Sequence, residues 1–207
     1  QSYMLYSLTQ WELSRLLLPL GGLTKEETRT LAEEHGFVNA RKRDSQDICF
    51  VPDGDYAGFI RRWTGKEFSP GAFVGTQGEL YGAHKGLIHY TVGQRKGLGL
   101  SFPQPMFVKE LDVENNQVVL AKAEELFSRE VVARDINLIA AESLEKPWRV
   151  KARIRYRQQE QPATVVQTGP DELHVTFDQP QRAVTPGQAL VLYDGDTVVG
   201  GGKIVRP

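Results

Sequence analysis

The sequence predicts an α+β protein: a short helical amino-terminal segment, then a small central β domain, then a carboxy-terminal β-barrel. Three observations lead there. Apolar residues recur at helical spacing only in the first third of the chain. From Ser69 onward the runs are short and strand-like, and turn pairs punctuate them: Pro70-Gly71, Gln77-Gly78, Asn115-Asn116, Gly169-Pro170 and Asp194-Gly195. The length of 207 residues and the 40% hydrophobic fraction suit one larger core or two small ones.

In the helical third, Tyr3, Leu5, Tyr6 and Leu8 are followed by Trp11, Leu13, Leu16 and Leu17 at roughly helical spacing. Thr9 with Glu12 reads as a capping box, and Pro19 with Gly21-Gly22 ends the stretch. Thr24 with Glu27 opens a second helix, which stops near His35-Gly36. Tyr56, Phe59, Ile60 and Trp63 predict one more short helix, closed by Gly65. The expected division is 1–64 helical, 65–125 central β domain, and 126–207 barrel. Asn115-Asn116 should join Met106–Val113 to Gln117–Ala121 as a hairpin. A break near Ala123–Arg129 should separate two all-β units, each a small barrel or sandwich.

Composition narrows the function. The net charge is −1, so a surface for nucleic acid must be a local patch. The single cysteine excludes an internal disulfide, which makes a reducing, cytoplasmic setting the expectation. No apolar run approaches the roughly 20 residues that span a bilayer, so no membrane partner is expected. The start, Gln1-Ser2-Tyr3-Met4, has no basic leader region and is read as lying inside a longer protein.

Cys49 is the first candidate for chemistry. Arg41, Lys42 and Arg43 favour a thiolate, and the cysteine lies in a polar stretch between a helix end and a turn. Asp44 and Asp47 oppose ionisation, and Ile48, Phe50 and Val51 suit a buried sulfur. Local physics leaves both readings open.

The run from Arg149 to Arg157 is the second candidate. Arg149, Lys151, Arg153, Arg155 and Arg157 alternate with Val150, Ala152, Ile154 and Tyr156. In a strand, alternate side chains face opposite ways. The expectation is five cations on one face, with the apolar set and Tyr156 buried. Regularly spaced phosphates would offset the repulsion among the cations, so RNA or another polyanion is the expected partner. The competing reading is a charged edge strand guarding against aggregation.

Thr91 to Leu100 superficially resembles a phosphate loop, but Gly97 is followed by Leu98-Gly99 where a P-loop needs Lys and Ser or Thr. A tight turn with positive φ at its glycines is expected instead, with RNA backbone contact a lesser option. His35, His84, His89 and His174 have no metal-ligand spacing with Cys49 or each other, and no metal is expected.

Several segments together resemble one family. They are Gln1-Ser2-Tyr3, then Arg43-Asp44-Ser45 with Ile48-Cys49-Phe50, then His89-Tyr90-Thr91 with Gly93-Gln94-Arg95-Lys96-Gly97-Leu98-Gly99. Arg155-Tyr156-Arg157, Ala183-Val184-Thr185-Pro186-Gly187-Gln188 and Gly200-Gly201-Gly202 complete the set. In this order the chain is similar to the tRNA-specific 2-thiouridylases, the MnmA family, from end to end.

That resemblance implies an enzyme that adenylates the wobble uridine of tRNA with ATP and magnesium, then delivers sulfur to its C2. The ATP-using PP-loop domain would precede this chain, whose 207 residues contain no Ser-Gly-Gly-x-Asp-Ser-type loop. Cys49 would carry a persulfide received from a sulfur-relay protein or a cysteine desulfurase, and a second cysteine would release the sulfur through a transient disulfide. Residues 1–64 would then be the tail of the catalytic domain. The family's tRNA contacts fall on Gln1, Arg155, Tyr156 and Gln188, and the basic strand adds Arg149, Lys151, Arg153 and Arg157. Gln46-Asp47 departs from the family's Thr-Gly and puts a negative charge beside Cys49. This polypeptide alone is not expected to thiolate tRNA, and none of the cofactors is expected to bind it. The alternatives are a non-catalytic RNA-binding β-barrel module of a larger assembly, and a polyanion binder with a structural cysteine.

Overall fold

A computed structural model describes residues 2–42, 51 and 54–206. The chain divides into two units, one formed by Trp11–Lys66 and the other by Gln1–Gln10 together with Glu67–Pro207.

The helices fall in the first third of the chain. Two one-turn helices, α1 (Ser2–Leu5) and α2 (Gln10–Leu13), come before α3 (Lys25–Glu34). The Thr24–Glu27 capping box of α3 is formed: the Thr24 hydroxyl accepts from the Glu27 amide at 3.3 Å, and the Glu27 carboxylate accepts from the Thr24 amide at 2.7 Å. Gly36, at φ +71°, turns the chain out of the helix. Helix α4 (Tyr56–Thr64) is capped by Asp55, which accepts from the Gly58 amide at 2.9 Å, and closed by left-handed Gly65. Phe59 and Trp63 stack one turn apart along it, at 6.1 Å.

The helical periodicity expected over residues 3–17 needs correction. Two isolated turns form in place of a continuous helix, with i→i+3 bonds such as Leu8 N–H to Leu5 O and Arg15 N–H to Glu12 O. Leu17, Leu18 and Leu20 stay exposed. Tyr3 and Tyr6 are committed elsewhere, against β-strands, and this fixes the direction of the first turn independently of any helix face.

The second unit holds two β structures. Strands β1 (Gly71–Gly75), β2 (Leu80–His84), β3 (Phe107–Asp112) and β4 (Gln117–Ala121) make a sheet of order β2-β1-β4-β3, with β1 and β4 parallel. The expected hairpin at Asn115-Asn116 is present. The Asp112 carboxylate accepts from the Asn115 amide at 3.0 Å, and Asn116 takes φ +52°. Phe73, Val108, Val118 and Leu120 fill the core of this sheet. His84 is buried there too, its ring edge-on to that of Phe73. Its Nδ1 accepts from the Gly86 amide at 3.0 Å, so Nε2–H donates to Asn116 O at 3.1 Å.

A 3-10 turn at Ala123–Leu126 leads into the barrel. Strands β5 (Phe127–Leu138), β6 (Trp148–Arg153), β7 (Gln161–Gly169), β8 (Glu172–Arg182), β9 (Ala189–Asp194) and β10 (Thr197–Arg206) close in the order β10-β5-β8-β7-β6-β9. Every pairing is antiparallel. Alternate side chains such as Val131, Val150, Val165, Val175, Leu192 and Ile204 fill the interior. Closure removes the edges. In particular β6 pairs with β7 on one side and β9 on the other, so its cations are not edge protection.

Candidate nucleic-acid interface

The basic run does not present five free cations in a row. Strand β6 ends at Arg153, because the Ile154 amide donates to the Gln158 side-chain oxygen at 3.0 Å and Gln158 N–H closes onto Arg155 O at 3.2 Å. Residues 154–158 are therefore a turn, and the strand alternation stops. Val150, Ala152 and Ile154 are buried as expected, but Tyr156 is 52% exposed.

Arg149, Arg153 and Arg155 are engaged by protein groups. Arg149 makes two bonds of 2.8 Å to the Asp178 carboxylate and one of 3.1 Å to Thr164. Each partner perturbs the other: Asp178 holds the guanidinium pKa above its usual value, and Arg149 holds the Asp178 carboxyl below the usual carboxylate range. Arg153 pairs with Glu160 at 2.6 Å and lies over the Tyr193 ring at 5.0 Å. Arg155 donates to the carbonyl oxygens of Arg182, at 3.1 Å, and of Ala183. Lys151 and Arg157 are exposed.

The Arg155–Tyr156 turn meets the amino-terminal segment. The Tyr3 ring lies edge-on to Tyr156 at 5.9 Å, and the Tyr3 hydroxyl donates to Ala189 O at 2.7 Å. Tyr3 packs there with Val191 and Tyr193 on the outside of the barrel. Burial pushes its pKa up to about 12, with Tyr6 and Tyr193 adding to the rise and Arg155 opposing it. Gln188 precedes Ala189 in an exposed turn that starts at Thr185: Gln188 N–H bonds Thr185 O at 3.2 Å, and its carbonyl accepts from Ile204 N–H at 2.8 Å. One side chain, Tyr3, thus touches Tyr156 and the residue after Gln188, although the three segments are far apart in sequence.

Gln1, Cys49 and the whole stretch 43–50 lie outside the described residues. Lys151 and Arg149 sit up strand β6, away from the turn. The role of Tyr3 was hidden in the sequence, where it fills one apolar position of a helical pattern. Its only signal was its place beside Gln1 and Ser2.

On the other side of the turn is a cleft of about 500 Å³ lined by Phe127, Ile154, Arg157, Pro180, Gln181 and Arg182, with Arg155 and Gln158 completing the wall. Gln181 is buried and accepts from the Gln158 amide at 2.7 Å while donating to Gln179 O at 2.7 Å. The Arg182 guanidinium rests over the Phe107 ring of β3 at 4.9 Å. Nothing in the residue spacing pointed to this cleft, since its walls come from three strand ends.

Residues 91–100 form the expected tight turn, with Gly93, Gly97 and Gly99 all at positive φ. The loop is anchored by Gly93 N–H to Val108 O at 2.7 Å and Val108 N–H to Gln94 O at 2.9 Å. A side chain at Gly93 would come within 3.1 Å of Ala183 Cβ, so this loop abuts the barrel. Among the described residues no group of three His, Cys, Asp or Glu could hold a metal ion. No described helix is long and apolar enough to cross a membrane.

Three family models match successive parts of the chain. Residues 1–53 match the tRNA methyl transferase HUP domain, 57–122 the tRNA methyl transferase PRC-barrel domain, and 128–204 the aminomethyltransferase beta-barrel domain. Among curated relatives, the tRNA-specific 2-thiouridylase MnmA of Acetivibrio thermocellus is 52% identical over 99% of this chain and 57% of that protein. The protein of the same name from Clostridioides difficile is 48% identical over 100% of the chain and 57% of its own length. MnmA 1 of a Thermoanaerobacter species is 50% identical with the same coverage. The chain therefore spans a little over half the length of the curated relatives it matches.

Proposed function

Because the chain belongs to the tRNA-specific 2-thiouridylase (MnmA) family, we propose that it is the tRNA-gripping and sulfur-carrying part of a sulfurtransferase that thiolates C2 of the wobble uridine. The observation that supports this reading best is the contact of Tyr3 with Tyr156 and Ala189, beside Arg155 and Gln188. An exposed aromatic next to cations and an amide suits single-stranded RNA, whose unstacked bases lie on aromatic rings while its phosphates meet basic groups. The barrel supplies the rigidity that holds these groups in place.

In the proposed chemistry, Cys49 carries a persulfide, received from a sulfur-relay protein or cysteine desulfurase in the cytoplasm. The outer sulfur bonds to C2 of the adenylated base, and the C2–O bond to AMP breaks. A second cysteine, outside these 207 residues, attacks the Cys49 sulfur. The sulfur–sulfur bond breaks, the two electrons stay on the transferred sulfur, and a disulfide is left for a thiol reductant to reopen. Lys42 and Arg43 lie close upstream in sequence, where cations would favour the thiolate that accepts sulfur, whereas Arg41 is engaged by the Glu33 carboxylate. ATP would supply the AMP leaving group that uracil lacks, with magnesium neutralising its phosphates. No PP-loop sequence occurs within these 207 residues, so no step here is assigned to residues of this chain through either group.

Two measurements test the reading. With a desulfurase and radiolabelled cysteine, the wild-type chain should take up reducible sulfur and Cys49→Ser should not; equal labelling of both would defeat the sulfur-carrier role. The wild-type chain should also shift a tRNA transcript, and Tyr156→Ala should weaken the shift. Binding without labelling would favour the non-catalytic RNA-binding module instead.

A further inference from the structure

We propose that the cleft beside Phe127 is a nucleotide pocket that takes one residue of the bound RNA strand, base against Phe127 and Pro180, phosphate toward Arg157 and Arg182. This rests on the tRNA reading above and adds a subsite to it. At about 500 Å³ the cleft falls within the range of roughly 300–1,000 Å³ common to small-ligand sites. Its chemistry is divided as a nucleotide requires. Phe127, 48% exposed, offers an aromatic face, and Ile154 and Pro180 extend the apolar wall. Arg155, Arg157 and Arg182 supply cations, and no acidic residue is among those lining it.

The walls are pre-set. Arg182 is held over Phe107, Arg155 is tied to the backbone at 182–183, and the Gln158–Gln181 amide pair fixes the floor. A ligand would thus find cations whose ordering cost is already met, which favours tight binding per contact. Continuity argues for a strand of RNA over a free nucleotide. Arg155 and Arg157 line the cleft and flank Tyr156 in sequence, so the cleft and the exposed ring are carried by one turn, within reach of successive nucleotides of a strand. The pocket also lacks the glycine-rich nest or helix start that cradles the phosphates of a free nucleotide.

The test is fluorescence anisotropy of an unmodified tRNA transcript with the wild-type chain, Phe127→Ala, Phe127→Tyr and Arg157→Ala, over a range of salt, with AMP as competitor. Phe127→Ala should weaken binding about 5- to 100-fold, and Phe127→Tyr should restore it. Arg157→Ala should lower the slope of log K against log salt by nearly one, while Phe127→Ala leaves that slope unchanged. Thermal melting close to wild type checks that each variant folds. Wild-type affinity and salt slope in both Phe127→Ala and Arg157→Ala would overturn the pocket and leave the tRNA reading standing. Displacement of the transcript by millimolar AMP, lost in Phe127→Ala, would overturn the RNA-strand assignment in favour of a free nucleotide. Failure of the wild-type chain to bind the transcript would sink the tRNA reading itself, and the pocket with it.

Discussion

The hydroxyl of Tyr3 donates a 2.7 Å hydrogen bond to the carbonyl oxygen of Ala189, 186 residues further along the chain. That bond ties the start of the described chain to the first residue of β9, and the edge-on contact of the same ring with Tyr156 ties both to the Arg155–Tyr156 turn.

Tyr3→Phe keeps the ring and loses the bond. It should cost about 1–2 kcal/mol in urea denaturation, because the Ala189 carbonyl is left without its partner. The pH dependence carries a sign. The folded state holds the phenolic proton up to about pH 12, whereas an unfolded tyrosine releases it near pH 10.0. The folded state therefore binds more protons in that window, and stability should fall as pH rises from about 10 to about 12. Tyr3→Phe should lose this part of the decline. An identical slope in the variant would show that Tyr3 is not its source.

Arg155 has a structural role of its own. Its guanidinium meets the carbonyl oxygens of Arg182 and Ala183, and Ala183 sits at φ +53°. Arg155→Ala should cost about 1.5–3 kcal/mol by chemical denaturation, the range for hydrogen bonds to a charged group. Arg155→Lys should recover only part of that, because an ammonium cannot present the planar fork that reaches two carbonyls. Full recovery of stability by lysine would mean that charge alone is what the site needs.

Tyr193 predicts a gain. Its hydroxyl is buried with no hydrogen-bond partner among the described residues, and the Arg153 guanidinium lies over its ring. Tyr193→Phe removes the unmet group and keeps the packing, so stability should rise by up to about 1 kcal/mol in thermal or chemical denaturation. A loss of more than about 1 kcal/mol would reveal a partner for that hydroxyl.

Gly201 is a test of close approach. A Cβ there would stand 2.3 Å from Leu190 O and 2.7 Å from the Tyr6 ring. Gly201→Ala should destabilise by about 1–3 kcal/mol and loosen residues 3–8 from the barrel, measured as faster amide exchange or proteolysis in that segment. Unchanged protection of residues 3–8 would place the strain in the β9–β10 ladder alone.

The five cations should not act alike on a polyanion. Lys151 is exposed on β6, whereas Arg149 is engaged by Asp178 and Arg153 by Glu160. Lys151→Ala should reduce the salt slope of RNA binding by nearly one, and Arg149→Ala by distinctly less. The reverse order would mean that RNA displaces Asp178. Stability should change little in either case, because both cations are solvent-exposed and screened.

Features that depend on neighbours a few residues apart were legible in the order of the residues alone. The Thr24–Glu27 capping box, the left-handed stops at Gly36 and Gly65, the Asn115-Asn116 hairpin and the switch to short strands after Ser69 are all local consequences of side-chain length, backbone freedom and periodicity. The family resemblance was legible for the same reason, since its motifs are contiguous. Tertiary structure decided where those pieces point. Whether Arg149 is free or paired depends on Asp178, 29 residues away, which barrel register brings alongside. The alternation of 149–157 fails after Arg153 because one side chain, Gln158, takes the Ile154 amide. Tyr3 looked like a helix position and became the link between Tyr156 and Ala189, because barrel closure sets β6 beside β9 and offers both to the same ring.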